Sequence, residues 1–354
     1  MESQAKTFKV SAGDSIQDAI DDAADSAGAD TIVIASGTYV EFLEIEDDES
    51  LTLLGNGDVT IDAEGEDEHV IKIRGDDDDF GDITIQNLKL IGAGKDGINA
   101  QEGSSLTLIN VEVSNNDDEG VQTEEVADVT IKNSDFYDNG DKGIQIELGG
   151  TVEISNVDVS GNAEDGIKVE IADEVRIDNV TSNANGLADP EETDDGIDLE
   201  VIGSITMHNV TASGNGDEGV EVDDSGTVIL THGTFNNNAD DGIDTDDVDE
   251  VTLISVVSTG NGGNGFQVEA EELDINQITV VSALFADNGE NGVQFRVLRE
   301  EPEDDSIIGD VTLKSVIARG NVVRGLEIDA IGTLTLKHVK SGTAEGNGSA
   351  DDLP

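Results

Sequence analysis

The stretch Asp165-Gly166-Ile167-Lys168-Val169-Glu170 is one copy of a pattern that the chain rewrites from end to end. Gly97-Ile98, Gly120-Val121, Gly143-Ile144, Gly166-Ile167, Gly196-Ile197, Gly219-Val220, Gly242-Ile243, Gly265-Phe266, Gly292-Val293 and Gly325-Leu326 are spaced by 23, 23, 23, 30, 23, 23, 23, 27 and 33 residues. A period of 23 with discrete insertions marks a solenoid, in which no repeat buries its apolar side alone. In the quoted copy Ile167 and Val169 alternate with Lys168 and Glu170, the in-out pattern of a strand. Val175-Arg176-Ile177 reads as a second strand, Asn179 as a tight corner and Val180 as the start of a third. The expected fold is all-β: a parallel β-helix, a single-stranded solenoid with three strands and about 23 residues per coil.

Two columns of asparagine keep the same period. One is Asn87, Asn110, Asn133, Asn156, Asn179 and Asn209, continued by His232, Ser255, Ser282, Ser315 and His338. The other is Asn116, Asn139, Asn162, Asn185, Asn215, Asn238, Asn261, Asn288 and Asn321. Asparagine tolerates left-handed backbone, and stacked amides hydrogen-bond to one another, so both columns are expected to be structural ladders. His232 and His338 then count as corner residues rather than bases.

Ahead of the coils, Phe8-Lys9-Val10 reads as a strand. Ile16, Ala19, Ile20 and Ala23 form the apolar stripe of a helix capped by Asp14 or Ser15. Laid over the open end of the stack, this amphipathic helix covers the first hydrophobic layer. Strand Asp30-Thr31-Ile32-Val33-Ile34 follows, with a glycine turn at Gly37. The expected division is a cap over 1–40, coils over 41–348, and a polar tail or truncated coil over 349–354.

Composition narrows the partners. The 354 residues include 81 acidic and 17 basic side chains, a net charge of -64. Nucleic acid is thereby excluded as a partner without bridging cations, and a hydrated surface of this kind suits a halophilic setting. There is no cysteine. Met1-Glu2-Ser3-Gln4 leads no apolar segment, so neither a signal peptide nor membrane insertion is expected. A secreted protein without its leader reads the same way.

Gly13-Asp14-Ser15-Ile16-Gln17-Asp18-Ala19-Ile20, the Asp30–Ile34 strand, Gly37-Thr38-Tyr39 and Leu51-Thr52-Leu53-Leu54-Gly55 resemble the start of right-handed parallel β-helix proteins of the pectin-lyase-like superfamily. The resemblance implies a right-handed coil. It leaves activity open, because the superfamily holds lyases, hydrolases, esterases and epimerases beside adhesins and tailspikes. It also implies a cleft over the glycine-led sheet. Insertions at Leu187–Thr193, Ala270–Ile275 and Leu298–Ile307, with Gly75–Asp79, are placed to wall that cleft.

Its floor carries Gln122, Gln145, Gln267, Gln294 and Arg296, with Arg324 nearby, as candidate substrate-binding residues. Asp195, Asp198, Glu200, Glu221, Asp223, Asp244 and Asp246 are candidate metal ligands: carboxylates stacked without a base between them repel. Ca2+, which takes carboxylate oxygens, is the expected cofactor, and no organic cofactor is expected. A solvated acidic face with diffuse counterions is the alternative.

No catalytic set stands out. Asp194-Asp195-Gly196-Ile197-Asp198 and Asp240-Asp241-Gly242-Ile243-Asp244 look like fragments of polygalacturonase motifs, but Asp-Gly-Ile is the structural repeat itself and Arg-Ile-Lys is missing. The epimerase signature Asp-Pro-His is absent; the single Asp-Pro, Asp189-Pro190, precedes Glu191. The expectation is a secreted or cell-surface module that binds cations and a carbohydrate or another surface without chemistry of its own. One alternative is a polysaccharide-modifying enzyme (uronate lyase, C5-epimerase or polygalacturonase-like hydrolase) acting over the glycine-led sheet. The other is a structural spacer of a larger halophilic surface protein, joined to further domains.

Overall fold

The computed structural model describes residues 5–26, 28–46, 50–75, 80–187, 194–270, 274–297, 308–328 and 331–343. The expected tail at 349–354 lies outside them. The chain forms two compact units, Met1–Ala172 and Asp173–Pro354, and each is a parallel single-stranded β-solenoid with about 23 residues per turn.

In the first unit, strand Leu43–Glu46 pairs in parallel with Ile71–Arg74, and the register continues Ile71↔Ile98↔Val121↔Ile144. In the second it runs Ile197↔Val220↔Ile243 and Phe266↔Val293↔Leu326. Ile98, Val121, Ile144, Ile197 and Val220 are fully buried, one aliphatic residue above the next. Each such side chain stabilises by about 1.5–3 kcal/mol, and none could do so without the coils on either side.

The glycine that leads each rung is dictated by crowding. A Cβ at Gly120 would stand 2.5 Å from the carbonyl oxygen of Gly143, and one at Gly219 would stand 2.5 Å from that of Gly242. Every residue of the first column, from Asn87 through His232 to His338, has left-handed backbone with φ between 53° and 60°, as the corner reading expects. Amide bonds run along it, for example Asn110 Nδ2 to Asn87 Oδ1 at 2.9 Å.

The second column behaves differently from the corner expectation. Its asparagines are buried, and the left-handed residue is the one before each: Asn115, Asp138, Gly161, Ala184, Gly214, Asn237, Gly260, Asp287 and Gly320. Each amide instead bonds along the stack, as where Asn139 Nδ2 donates to Asn162 Oδ1 at 3.0 Å and Asn238 Nδ2 to Asn261 Oδ1 at 3.2 Å. This is an internal ladder, and the corner is made one residue earlier.

Helix α1 (Ile16–Ala24) has Ser15 as its N-cap and buries Ile16, Ile20 and Ala23. Glu41 holds its start, accepting from Ile16 N at 2.9 Å and Ser15 Oγ at 2.9 Å, so a carboxylate meets the positive end of the helix. No turn forms at Gly37: strand Asp30–Val40 is continuous, and its pairing with Leu51–Asp62 slips between Ala35 and Gly37. The extra residue at the slip lies in the partner strand, between Asn56 and Val59.

Candidate functional site

Three outward positions recur on the glycine-led sheet: the residue before the glycine, the second after it and the fourth after it. The first of these was read from the sequence only at Asp195, and it is the most buried. In the first unit it runs His69, Asp96, Glu119, Lys142, because Ile71 pairs with Ile98, Val121 and Ile144 in turn. His69 escaped notice because Val70 stands where later coils have glycine. A search for an ionisable residue before each strand, rather than for glycine, would have found it.

Asp96 is 3% exposed. His69 Nδ1 lies 3.2 Å from Asp96 Oδ2 and 3.3 Å from the Asp96 backbone nitrogen. The Asp96 backbone N–H donates to His69 Nδ1, and the Asp96 carboxylate lies beside the same nitrogen. Asn99 Nδ2 donates to Asp96 Oδ2 at 2.8 Å and to Gln122 Oε1 at 2.7 Å, and Gln122 Nε2 donates to Glu147 Oε1 at 3.2 Å. Burial pushes Asp96 up, yet hydrogen bonds from His69, Asn99 and Glu119 outweigh it and hold the carboxyl below the usual aspartate range. Burial and the bond to Asp96 push Glu119 up to about 8, so at neutral pH Glu119 carries the proton of the pair. Lys72, the register partner of Asn99, and Arg74, that of Gln101, project from the same coil as His69. Lys142 pairs with Glu164.

The second unit repeats the backbone with other chemistry. Before the glycine stand Asp195, Glu218, Asp241, Asn264 and Asn291, all buried. Three of these side chains, Asp195, Asp241 and Asn264, accept from the backbone of the next coil: Glu218 N donates to Asp195 Oδ1 at 2.8 Å, Asn264 N to Asp241 Oδ1, and Asn291 N to Asn264 Oδ1 at 3.1 Å. Asp198, Glu221 and Asp244 stack two residues on, and Glu200, Asp223 and Asp246 four on. Burial first, then the neighbouring carboxylates, raise Glu218 to about 9, Glu221 to about 10 and Asp223 to about 7. Asp244 is raised well above the aspartate range for the same reasons. Asp195 approaches Asp217 and Glu218, two residues outside the expected ligand set.

The amides expected to bind substrate join this network. Gln145 faces Glu147 at 3.5 Å, Gln267 donates to Asp244 Oδ2 at 2.9 Å, and Gln294 donates to Glu327 Oε2 at 2.9 Å. Arg296 pairs with Glu269, and Arg324 with Glu327 at 2.7 Å. The walls expected from the insertions fall on 76–79, 188–193, 271–273 and 298–307, outside the described residues.

The sequence model described as "Right handed beta helix region" matches residues 70–227 and 189–297. The chain belongs to the right-handed β-helix family. Solved structures of similar fold include the A-modules of two mannuronan C-5 epimerases of Azotobacter vinelandii. With AlgE6 the identity is 17%, covering 92% of this chain and 93% of that one, with a TM-score of 0.67. With AlgE4 it is 17%, covering 91% and 92%, at 0.66. The catalytic domain of a GH87 α-1,3-glucanase in complex with nigerose matches at 13% identity over 95% of this chain and 70% of that one, at 0.51. These likenesses establish the β-helix fold alone. No curated protein sequence matches the chain. Among the described residues, no helix is long and apolar enough to cross a membrane.

Proposed function

We propose that this β-helix protein is a polysaccharide-modifying enzyme that abstracts a proton beside the carboxylate of a uronate residue, on the outward face of its first unit. The observation that carries the reading is the set His69, Asp96 and Glu119: a histidine oriented by a buried carboxylate, next to a carboxylic acid that keeps its proton at neutral pH. Proton abstraction next to a carboxylate needs a base, an acid and a positive charge to hold the developing enediolate. His69 is the base, Asp96 its positioning residue, and Glu119 the proton donor. Lys72, on the coil of His69, receives the sugar carboxylate, while Arg74 beside it pairs with Glu46.

The His69 imidazole takes the proton from the carbon bearing the carboxylate. The electron pair then either expels the glycosidic oxygen, which takes the Glu119 proton, or takes the Glu119 proton at the same carbon on the other face. The first outcome is a lyase and the second a C5-epimerase, and the epimerase modules that share the fold support this class. The enzyme reading is preferred to the non-catalytic module and to the spacer, because neither gives a reason to bury Asp96 against a protonated neighbour at a cost in stability.

Incubation with alginate or pectate in deuterated water, followed by NMR, tests the reaction class. Deuterium at the carbon next to the carboxylate is expected, falling by about 10²–10⁴-fold in His69→Gln. Absence of exchange with every polyuronate sinks the proposal.

A further inference from the structure

A cavity of about 840 Å3 opens beside α1, and its apolar lining is Ile20, Ala24, Val40, Phe42, Leu51 and Ala63. That volume falls in the range, about 300–1,000 Å3, that encloses a group of side chains rather than a single ion. Val40 is 57% exposed and Phe42 45%, so the apolar lining opens to solvent. Asp21, Glu44, Glu64 and Glu66 line the same cavity, and among the described residues no basic side chain does. Two further acids there are already engaged, Glu41 by the start of the helix and Glu46 by Arg74. Glu44, Glu64 and Glu66 form no ion pair among the described residues. The complement of such a surface is an apolar tip that carries positive charge.

The second unit presents such a tip. In Arg319-Gly320-Asn321-Val322-Val323-Arg324, two valines stand between two arginines. Val322 is 67% exposed, more than any other large apolar side chain among the described residues, and Val323 is 50% exposed. The scaffold holds this turn in place. Asn321 is buried in the internal ladder, Val322 N donates to the carbonyl of Asn288 at 3.0 Å, and Val323 N to that of Glu290 at 2.9 Å. A turn fixed in advance loses little conformational freedom on docking. Arg319 is exposed, and Arg324 shares only Glu327, three residues along.

We propose that the cavity beside α1 receives the Val322–Val323 turn of a second copy of this chain, with Arg319 and Arg324 paired to the acids at its rim. The partner is a copy because both halves of the fit are written in one sequence: acids without a base around the cavity, and a base on either side of the apolar tip. The two surfaces differ, so the contact is head-to-tail and every copy can engage two others. The net charge of -64 opposes approach at long range. At about 0.15 M salt the screening length is about 8 Å, which damps that repulsion while groups in contact still pair. The contact uses none of His69, Asp96 and Glu119 and does not rest on the enzyme reading.

Sedimentation velocity of the full chain in about 0.15 M KCl tests it, over a concentration series reaching about 0.1 mM, a hundredfold above a micromolar dissociation constant. The wild type is expected to grow in mass with concentration. Phe42→Asp puts a charge into the apolar lining, and Val322→Asp puts one on the tip; both positions are exposed, so both proteins are expected to melt as the wild type does. Glu66→Lys, on the exposed rim, tests the cavity again without touching its apolar lining. Phe42→Asp and Val322→Asp are each expected to stay monomeric alone and to form a heterodimer when mixed, because one keeps its turn and the other its cavity. Arg319→Glu and Glu66→Lys are each expected to weaken association about tenfold. A wild type that remains monomeric throughout the series overturns the proposal. So do variants that assemble as the wild type does, and so does a mixture of Phe42→Asp and Val322→Asp that stays monomeric.

Discussion

The two units share a rung and differ in what they hang on it. In the first, the column before the glycine mixes signs, His69, Asp96, Glu119 and Lys142; His69 and Asp96 pair, Asp96 and Glu119 share a proton, and Lys142 pairs with Glu164 beside the column. In the second the same column opens Asp195, Glu218 and Asp241, flanked by Glu221 and Asp244, and no base lies among these five. Identical backbone geometry thus leads one face towards acid–base chemistry and the other towards proton storage. Fold constrains the inward residues and leaves the outward columns free.

The comparison can be broken first at the scaffold that both units share. Asn139→Ala and Asn238→Ala each remove an amide with ladder bonds above and below it, and leave buried donors unpaired. Each is expected to cost about 2–3 kcal/mol, equally in the two units, read from urea denaturation midpoints. A large difference between them would mean that the rungs are not equivalent.

A smaller effect separates the units by pH. Carboxyls raised on folding add stability that is fully present below about pH 4, where they are protonated in both states, and is lost as pH rises through their folded values. For Glu218 and Glu221 these are about 9 and about 10, so in chelator the protein is expected to melt higher at pH 5 than at pH 8. Glu119, at about 8, contributes in the same direction over a narrower window. A melting temperature that does not change between these pH values would remove the case for buried, mutually repelling acids.

The smallest effect sharpens the contrast within the second unit. Glu221→Gln keeps the shape and removes the cost of holding, in the folded protein, a proton that the unfolded chain releases at neutral pH. It is expected to raise the melting temperature by about 2–4 °C at low salt without divalent cations, equivalent to about 1 kcal/mol. The gain should shrink as salt screens the remaining charge. A loss of stability would show that Glu221 is held by attraction.

The coil was legible because its causes are local. Period, strand alternation and the crowded glycine repeat every 23 residues, and the first asparagine column fell on left-handed corners throughout. The second column forms the ladder expected of it, but inside the coil and not at a corner: an internal amide and a corner amide have the same spacing, and only burial tells them apart. The acidic stack of the second unit was legible as a charge pattern. The His69 column was not, since its coil lacks the marker glycine and its partners lie one or more turns away.

The sequence by itself determined the parallel β-helix, its rung length and which residues face outward, because those follow from side-chain volume and backbone geometry within one repeat. Only the tertiary structure decided that Asp96 is ionised while Glu119 is not, and that Asp217 joins Asp195 and Glu218. Protonation and ligand geometry depend on burial and on neighbours from other coils, and those neighbours meet only after the chain has wound.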